Sequence, residues 1–292
     1  MKIFVTGASG FIGSAVTYEL IRAGHEVIGL ARSDKSAAAL AKAGAIPLRG
    51  SLEDLDSLKQ GASEADGVIN LGFNHDFSQF GASVQAEARA IEIMGEVLKD
   101  TGHPLLIASG GPTLSEKFDE NVSTGPREAI ARKAVEFAQQ QVRSVVVRLP
   151  PIVHDETKLS FVSMLGDIAR RTGVSGYVGD GSNRWSAVHR LDAADLFCLA
   201  LEKAPAGSVL QGVGEEGIPL KEIAARIGAR LNVPVRSIAN EEAEKHFGFL
   251  SRVVGSDIPA SSAMTQKRLD WQPTHPGLLE DLDHSHFFDA PS

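Results

Sequence analysis

Glycine stands at positions 7, 10 and 13 of Thr6-Gly7-Ala8-Ser9-Gly10-Phe11-Ile12-Gly13. Before this stretch runs Lys2-Ile3-Phe4-Val5, β-branched and aromatic, which predicts a strand. After it, Ile12, Val16 and Leu20 recur at i, i+4 and i+8, the spacing of one helix face. Strand, glycine-rich turn and helix in that order suit the pyrophosphate of a dinucleotide. Gly7 permits the tight turn, Gly10 lets a phosphate approach the backbone, and Gly13 lets helix and strand pack closely. The helix N-terminus then offers N–H groups to the phosphates. Ser9 in the turn and Phe11 and Ile12 at the start of the helix join the three glycines as candidate cofactor contacts.

The second strand ends Leu30-Ala31-Arg32-Ser33-Asp34-Lys35. An NAD site wants a carboxylate at this strand end, to accept from the ribose 2′-hydroxyl. Ala31 stands about where that acid would be, and Arg32 follows. A guanidinium forks onto a 2′-phosphate and stacks on adenine. Ser33 and Lys35 add donors, so NADP(H) is expected. The competing reading makes Arg32 and Lys35 solvated charges and gives the ribose to Asp34.

The elements that must hold these groups alternate. Strands are expected at Glu26–Ala31, Ala45–Leu48, Gly67–Leu71, Leu105–Ala108 and Ser144–Leu149. Helices are expected at Phe11–Ala23, Ser36–Ala43, Leu52–Gln60, Phe80–Asp100 and Pro126–Gln141. Short apolar strands alternating with helices imply a doubly wound parallel α/β sheet, with its ligand beyond the strand C-termini. After Pro150-Pro151 the rhythm changes. Leu159–Arg171, Leu191–Ala204 and Pro219–Leu231 read as helices, Ser208–Val213 as a strand, and Thr172–Arg184 as loop. Residues 1–153 are therefore expected to form the cofactor domain, rejoined by 191–213. Residues 154–190 and 214–292 are expected to form a smaller substrate-side lobe.

The chain has 292 residues, 43% of them hydrophobic, enough for a large core. A net charge of −8 argues against a nucleic-acid surface. The single cysteine, Cys198, allows no intrachain disulfide and fits a reducing cytoplasm. No apolar run approaches a membrane span, and no signal peptide is expected. Asp283-His284-Ser285-His286 superficially suggests a metal, but it lacks a third ligand cluster, and no metal is expected.

Thr6-Gly7-Ala8-Ser9-Gly10-Phe11-Ile12-Gly13 resembles the TGxxGxxG fingerprint of the extended short-chain dehydrogenase/reductase superfamily, the NAD-dependent epimerase/dehydratase type. Gly50-Ser51-Leu52 resembles that superfamily's Gly-Asp-Leu, which holds adenine. Ile69-Asn70-Leu71-Gly72-Phe73 is similar to the strand end that passes the adenosine ribose and phosphates. Asn74 and His75 follow on the loop facing the cleft. Arg148-Leu149-Pro150-Pro151-Ile152-Val153-His154 resembles the segment that touches the nicotinamide. The resemblance thus implies cofactor contacts at Ser51, Leu52, Leu71, Gly72, Phe73, Pro150 and Ile152. It extends to Val188-His189-Arg190-Leu191-Asp192 and to Leu269-Asp270-Trp271-Gln272-Pro273.

The superfamily's catalytic Tyr-x-x-x-Lys is absent from the Pro126–Gln141 stretch. In one alignment Glu128 takes the tyrosine position and Arg132 the lysine position; in the other these are Ala129 and Lys133. Arg132 holds its proton at any useful pH, so it can grip a hydroxyl or an oxyanion but cannot shuttle protons. Strand five ends Ala108-Ser109-Gly110-Gly111-Pro112-Thr113, so Ser109 or Thr113 can meet a substrate oxygen. Ser109, Arg132 and His75 are the catalytic candidates. Asn74, Thr113, Tyr177, Trp185 and His189 are the substrate-side candidates. For His189 a structural role, tying the lobes together, competes. Tyr177 is weighed as a displaced acid against a lobe-packing role, and Trp185 as a pocket wall against core.

The expected function is NADP(H)-dependent hydride transfer on a small carbonyl or alcohol. An epimerase, dehydratase or isomerase with transient redox, and a non-catalytic cofactor-binding regulator, are the alternatives. The resemblance also implies a homodimer through the Phe80–Asp100 and Pro126–Gln141 helices.

Overall fold

The computed structural model describes residues 1–74, 79–110, 125–157 and 160–289. The chain begins with β1 (Lys2–Thr6), α1 (Phe11–Arg22), β2 (Glu26–Ala31), α2 (Asp34–Lys42), β3 (Ile46–Arg49) and α3 (Leu55–Ser63). It continues through β4 (Gly67–Asn70), α4 (Phe80–Leu98), β5 (Pro104–Gly110), α5 (Pro126–Glu136) and β6 (Arg143–Leu149). Then follow β7 (Ile152–His154), α6 (Phe161–Thr172), β8 (Ser175–Val178), β9 (Arg184–His189), α7 (Arg190–Lys203) and β10 (Ser208–Gln211). β11 (Glu215–Pro219), α8 (Leu220–Leu231) and β12 (Val235–Ile238) open the final part, which ends in short helices.

Seven strands form one parallel sheet in the order β10-β6-β5-β4-β1-β2-β3. The chain runs outward from β1 to β3, then crosses back to β4, which makes β1/β4 the switch point. Alternation along β1 explains why its apolar run is continuous. Ile3 and Val5 point into the layer beneath α1 and α7, while Phe4 points into the layer beneath α3, α4 and α5. A third apolar cluster lies in the lobe, around Trp185, Ile223 and Phe247. The lobe carries a β11-β9-β7 sheet and a β12-β8 pair. Among the described residues no helix is long and apolar enough to cross a membrane.

Three boundaries differ from expectation for local reasons. α3 starts at Leu55 rather than Leu52, because Asp54 caps it: its Oδ1 accepts from the Ser57 N–H at 3.2 Å. α5 stops at Glu136, tightens into a 3₁₀ turn over Phe137–Gln140, and leaves through Gln141 at φ +56°. Thr172–Arg184 is not wholly loop, since it contains β8. Gly176 suits that strand, where it pairs with Arg236 of β12, because a Cβ there would lie 2.7 Å from His246 Nε2 and 2.8 Å from Ile238 Cγ1.

Candidate active site

At the switch point the glycines do distinct work. Gly7 has φ +66°, and a Cβ there would lie 2.8 Å from the Leu71 carbonyl carbon. A Cβ on Gly13 would lie 2.0 Å from the Gly7 oxygen, so α1 comes this close to the turn after β1 only because Gly13 lacks a side chain. The end of β4 rests on this loop. Thr6 Oγ1 donates to Asn70 Oδ1 at 2.6 Å and accepts from the Gly72 N–H at 3.1 Å. Leu71 and Leu52 border the same junction, the latter 3.0 Å from a Cβ placed on Gly72. Gly10 gives α1 no side-chain cap, and Ser9 beside it is exposed. The first-turn N–H groups of a helix lack partners within it, so this turn suits an anionic ligand.

Farther along the strand ends, Ala31, Arg32, Arg49, Gly50, Ser51 and Asp54 line an open cavity of about 300 Å³. Arg32 and Lys35 are exposed. The Ser33 hydroxyl caps α2, accepting from the Ser36 N–H at 3.2 Å, and the Ser36 hydroxyl accepts from the Ser33 N–H. Arg49 was missed in the sequence. The available signal was a cation at the end of the strand that pairs with β2, where Ala31 and Arg49 are register partners.

On the other side of β4, Ser109 lies one residue before the end of β5, buried, in register with Arg148 on β6. Arg148 is buried too, and its Nη2 donates to Glu128 Oε1 at 2.5 Å. Glu128, on the first turn of α5, is therefore a buried carboxylate held by a buried guanidinium, a fact invisible in the sequence. Its neighbour Arg127 binds Glu87 through both Nε (2.9 Å) and Nη2 (2.6 Å) and lies 4.2 Å from the centroid of the Phe73 ring. Arg132 is half-buried one turn after Glu128, whereas Ala129 and Lys133 face solvent. Asn74 is exposed; His75 and Thr113 lie outside the described residues. Pro150 and Ile152 are buried where β6 passes into β7.

The remaining substrate-side candidates sit elsewhere. Trp185 is 1% exposed in the lobe core and donates from Nε1 to the Ser256 carbonyl at 3.2 Å, so it walls no pocket. Tyr177 is half-buried on β8, against the lobe cluster and under Lys221, 5.9 Å from its ring centroid. Those contacts are lobe packing.

His189 is buried in a joint of three histidines. Its Nδ1 accepts from the Leu191 N–H at 3.2 Å, capping α7. Its ring stacks on His275 at 4.9 Å and meets His154 edge-on at 5.6 Å. His154 Nδ1 donates to Asp281 at 2.6 Å, and His275 Nδ1 to Asp192 at 2.7 Å. Burial pushes the His189 imidazole below its usual range, Asp281 opposes this, and His154 and His275 push it further down, with Asp192 opposing weakly. His189, Asp192 and His275 approach within 4.8 Å of one another. The two rings are only 8° from parallel, however, so their in-plane lone pairs run side by side rather than toward one point. In the tail, Asp283 pairs with Arg226 at 2.6 Å and His286 with Asp289 at 2.9 Å. Half-buried Cys198 has its thiol pushed up to about 12 by burial, which keeps it protonated and unreactive.

A parallel sheet with a tight glycine turn at its switch point and polar groups on the strand ends either side defines a nucleotide-binding α/β protein. Residues 3–111 match the NAD dependent epimerase/dehydratase family. An uncharacterized protein of Schizosaccharomyces pombe is 50% identical over 99% of this chain and 100% of its own length. A 2-alkyl-3-oxoalkanoate reductase of Stenotrophomonas maltophilia is 24% identical over 80% of this chain and 77% of its own. The Thermus thermophilus UDP-glucose 4-epimerase, solved with NAD, superposes with a TM-score of 0.72 at 17% identity, covering 100% of both chains. The chain belongs to the NAD-dependent epimerase/dehydratase family, within the extended short-chain dehydrogenase/reductase superfamily, and has that superfamily's NAD(P)-binding fold. It is an atypical member, because the Tyr-x-x-x-Lys pair is missing from α5.

Proposed function

We propose that the protein is an NADP(H)-dependent oxidoreductase that transfers hydride between the cofactor and a small carbonyl or alcohol. The observation that carries this reading is the arrangement along one sheet edge. The glycine turn of β1 and the buried Ser109 of β5 flank β4, so a dinucleotide laid across the switch point runs from the arginine-lined cavity toward Ser109. The cofactor supplies the hydride when bound. Ser109 donates its hydroxyl proton in a hydrogen bond to the substrate oxygen, and Arg132 stabilises negative charge there. His75 is the candidate proton donor, since an imidazole near pKa ~6.5 exchanges protons at neutrality. The Stenotrophomonas reductase, similar over most of the chain, supports reduction of a carbonyl.

One observation favours a second reading, a cofactor-binding regulator. Where one alignment puts the tyrosine, Glu128 is locked to Arg148. The test is to incubate the protein with NADPH and a panel of small ketones and aldehydes, following absorbance of the reduced nicotinamide. Net consumption supports the oxidoreductase. Tight binding without turnover supports the regulator, and product without net redox change would indicate an epimerase or isomerase.

We also propose a homodimer through α4 and α5, which pack side by side, the Phe137 ring against Gly95 of α4. A sedimentation mass near 31 kDa would exclude it.

A further inference from the structure

The cavity at the adenosine end holds a second guanidinium that the known fingerprint does not assign. Arg49 closes β3, side by side with Ala31 in the parallel register, and both line the cavity with Arg32. Ala31 stands where an NAD site would carry its carboxylate. Two arginines therefore converge on the spot where a ribose 2′ substituent belongs. Arg49 is not idle. Its Nη2 lies 3.3 Å from Oδ1 of Asp34, the first residue of α2. The Asp34 side chain is fully exposed and Arg49 half-exposed, so this ion pair is weak.

We propose that Arg49 is the second arm of a 2′-phosphate clamp with Arg32, and that Asp34 is a resident anion which the phosphate displaces. The proposal rests on the NADP(H) reading and deepens it. A dianionic phosphate offers three acceptor oxygens, and a guanidinium binds such a group bidentately, whereas the lone Asp34 carboxylate reaches one Nη. The exchange Arg49–Asp34 to Arg49–phosphate is therefore favourable for NADPH. NADH lacks the phosphate and gains nothing from Arg49. Asp34 thus acts against the phosphorylated cofactor, both by occupying Arg49 and by like-charge repulsion.

The experiment measures Kd for NADPH and for NADH by nicotinamide fluorescence, on the intact protein and on Arg32→Ala, Arg49→Ala and Asp34→Asn. Arg49→Ala is expected to raise the NADPH Kd by at least about tenfold and the NADH Kd by less than about twofold. Asp34→Asn is expected to tighten NADPH by up to about fivefold and to leave NADH unchanged. The unchanged NADH Kd reports that each variant is folded. If the wild-type protein prefers NADPH and loses that preference in Arg32→Ala but keeps it in Arg49→Ala, the clamp is overturned while the NADP(H) reading survives. If Asp34→Asn weakens NADH selectively, Asp34 is a ribose ligand and the resident-anion role is overturned. If the wild-type protein binds both cofactors equally and Arg32→Ala changes neither, the NADP(H) reading itself falls, and the clamp with it.

Discussion

The two ends of the cleft are built from opposite materials. At the adenosine end the contacts are backbone and exposed charge: glycines at 7, 10 and 13, with Arg32 and Lys35 in solvent and Arg49 half-exposed. At the far end the polar groups are buried and matched to one another: Arg148 with Glu128, and Arg127 with the almost fully buried Glu87. Exposed charges cost the fold little and remain available to a ligand. Buried charges are already spoken for, and removing one leaves its partner desolvated. The first end should thus fail by losing ligand, the second by losing the fold.

Four changes put that contrast at risk. The largest effect is expected from Arg148→Met, which strands Glu128 and should cost about 3–5 kcal/mol in urea unfolding. The double variant Arg148→Met, Glu128→Leu should recover most of that loss. A single variant that unfolds like the wild type would show that the pair is solvated after all. Next comes Gly13→Ala, whose Cβ meets the Gly7 oxygen at 2.0 Å. It should cost about 1–3 kcal/mol through overpacking and also weaken both cofactors, measured by calorimetric titration.

Arg32→Ala should change stability by less than about 0.5 kcal/mol, yet raise the NADPH Kd by about tenfold or more and leave NADH nearly alone. A stability loss without a change in affinity would reverse the contrast. The smallest effect concerns the histidine joint. Because the His189 pKa is depressed in the folded state, the unfolded chain binds more protons once pH falls below its ordinary value of about 6.5. Stability is then whole above that value and is lost as pH falls through the lower folded value. Comparing melting temperatures at pH 7.5 and pH 5.5, His189→Asn should show the shallower acid loss; an equal slope would place the titration elsewhere.

The adenosine end was legible in sequence because its work is local. Gly7, Gly10 and Gly13 announce a turn that only residues without side chains can make, and Arg32 follows its strand by one position. Arg49 escaped notice because only the β2–β3 register brings it beside Ala31. The far end was opaque for the same reason, amplified. Glu128 and Arg148 are 20 residues apart, and neither a helix face nor a strand pattern announces that they will meet. The histidine joint gathers residues 154, 189 and 275, and the pocket-wall and core readings of Trp185 part only where the fold sets its indole inside the lobe. Patterns in sequence report which face an element buries, not which distant charge it buries against.

The joint also sets an order of events during synthesis. Asp281, which orients His154, and Trp271, whose Nε1 donates to the Asp192 carbonyl at 3.0 Å, both come from the segment that follows the short helix Ala263–Leu269. At about 5–20 residues per second, that segment leaves the ribosome on the order of ten seconds after β6. During that interval the sheet can form, Arg190 on α7 can already meet Asp155, and His154 can lie near Glu215. The Asp281 partner of His154 and the Trp271 contact to α7 are still missing. A nascent chain at this stage lacks those two ties, and only translation of the closing segment supplies them.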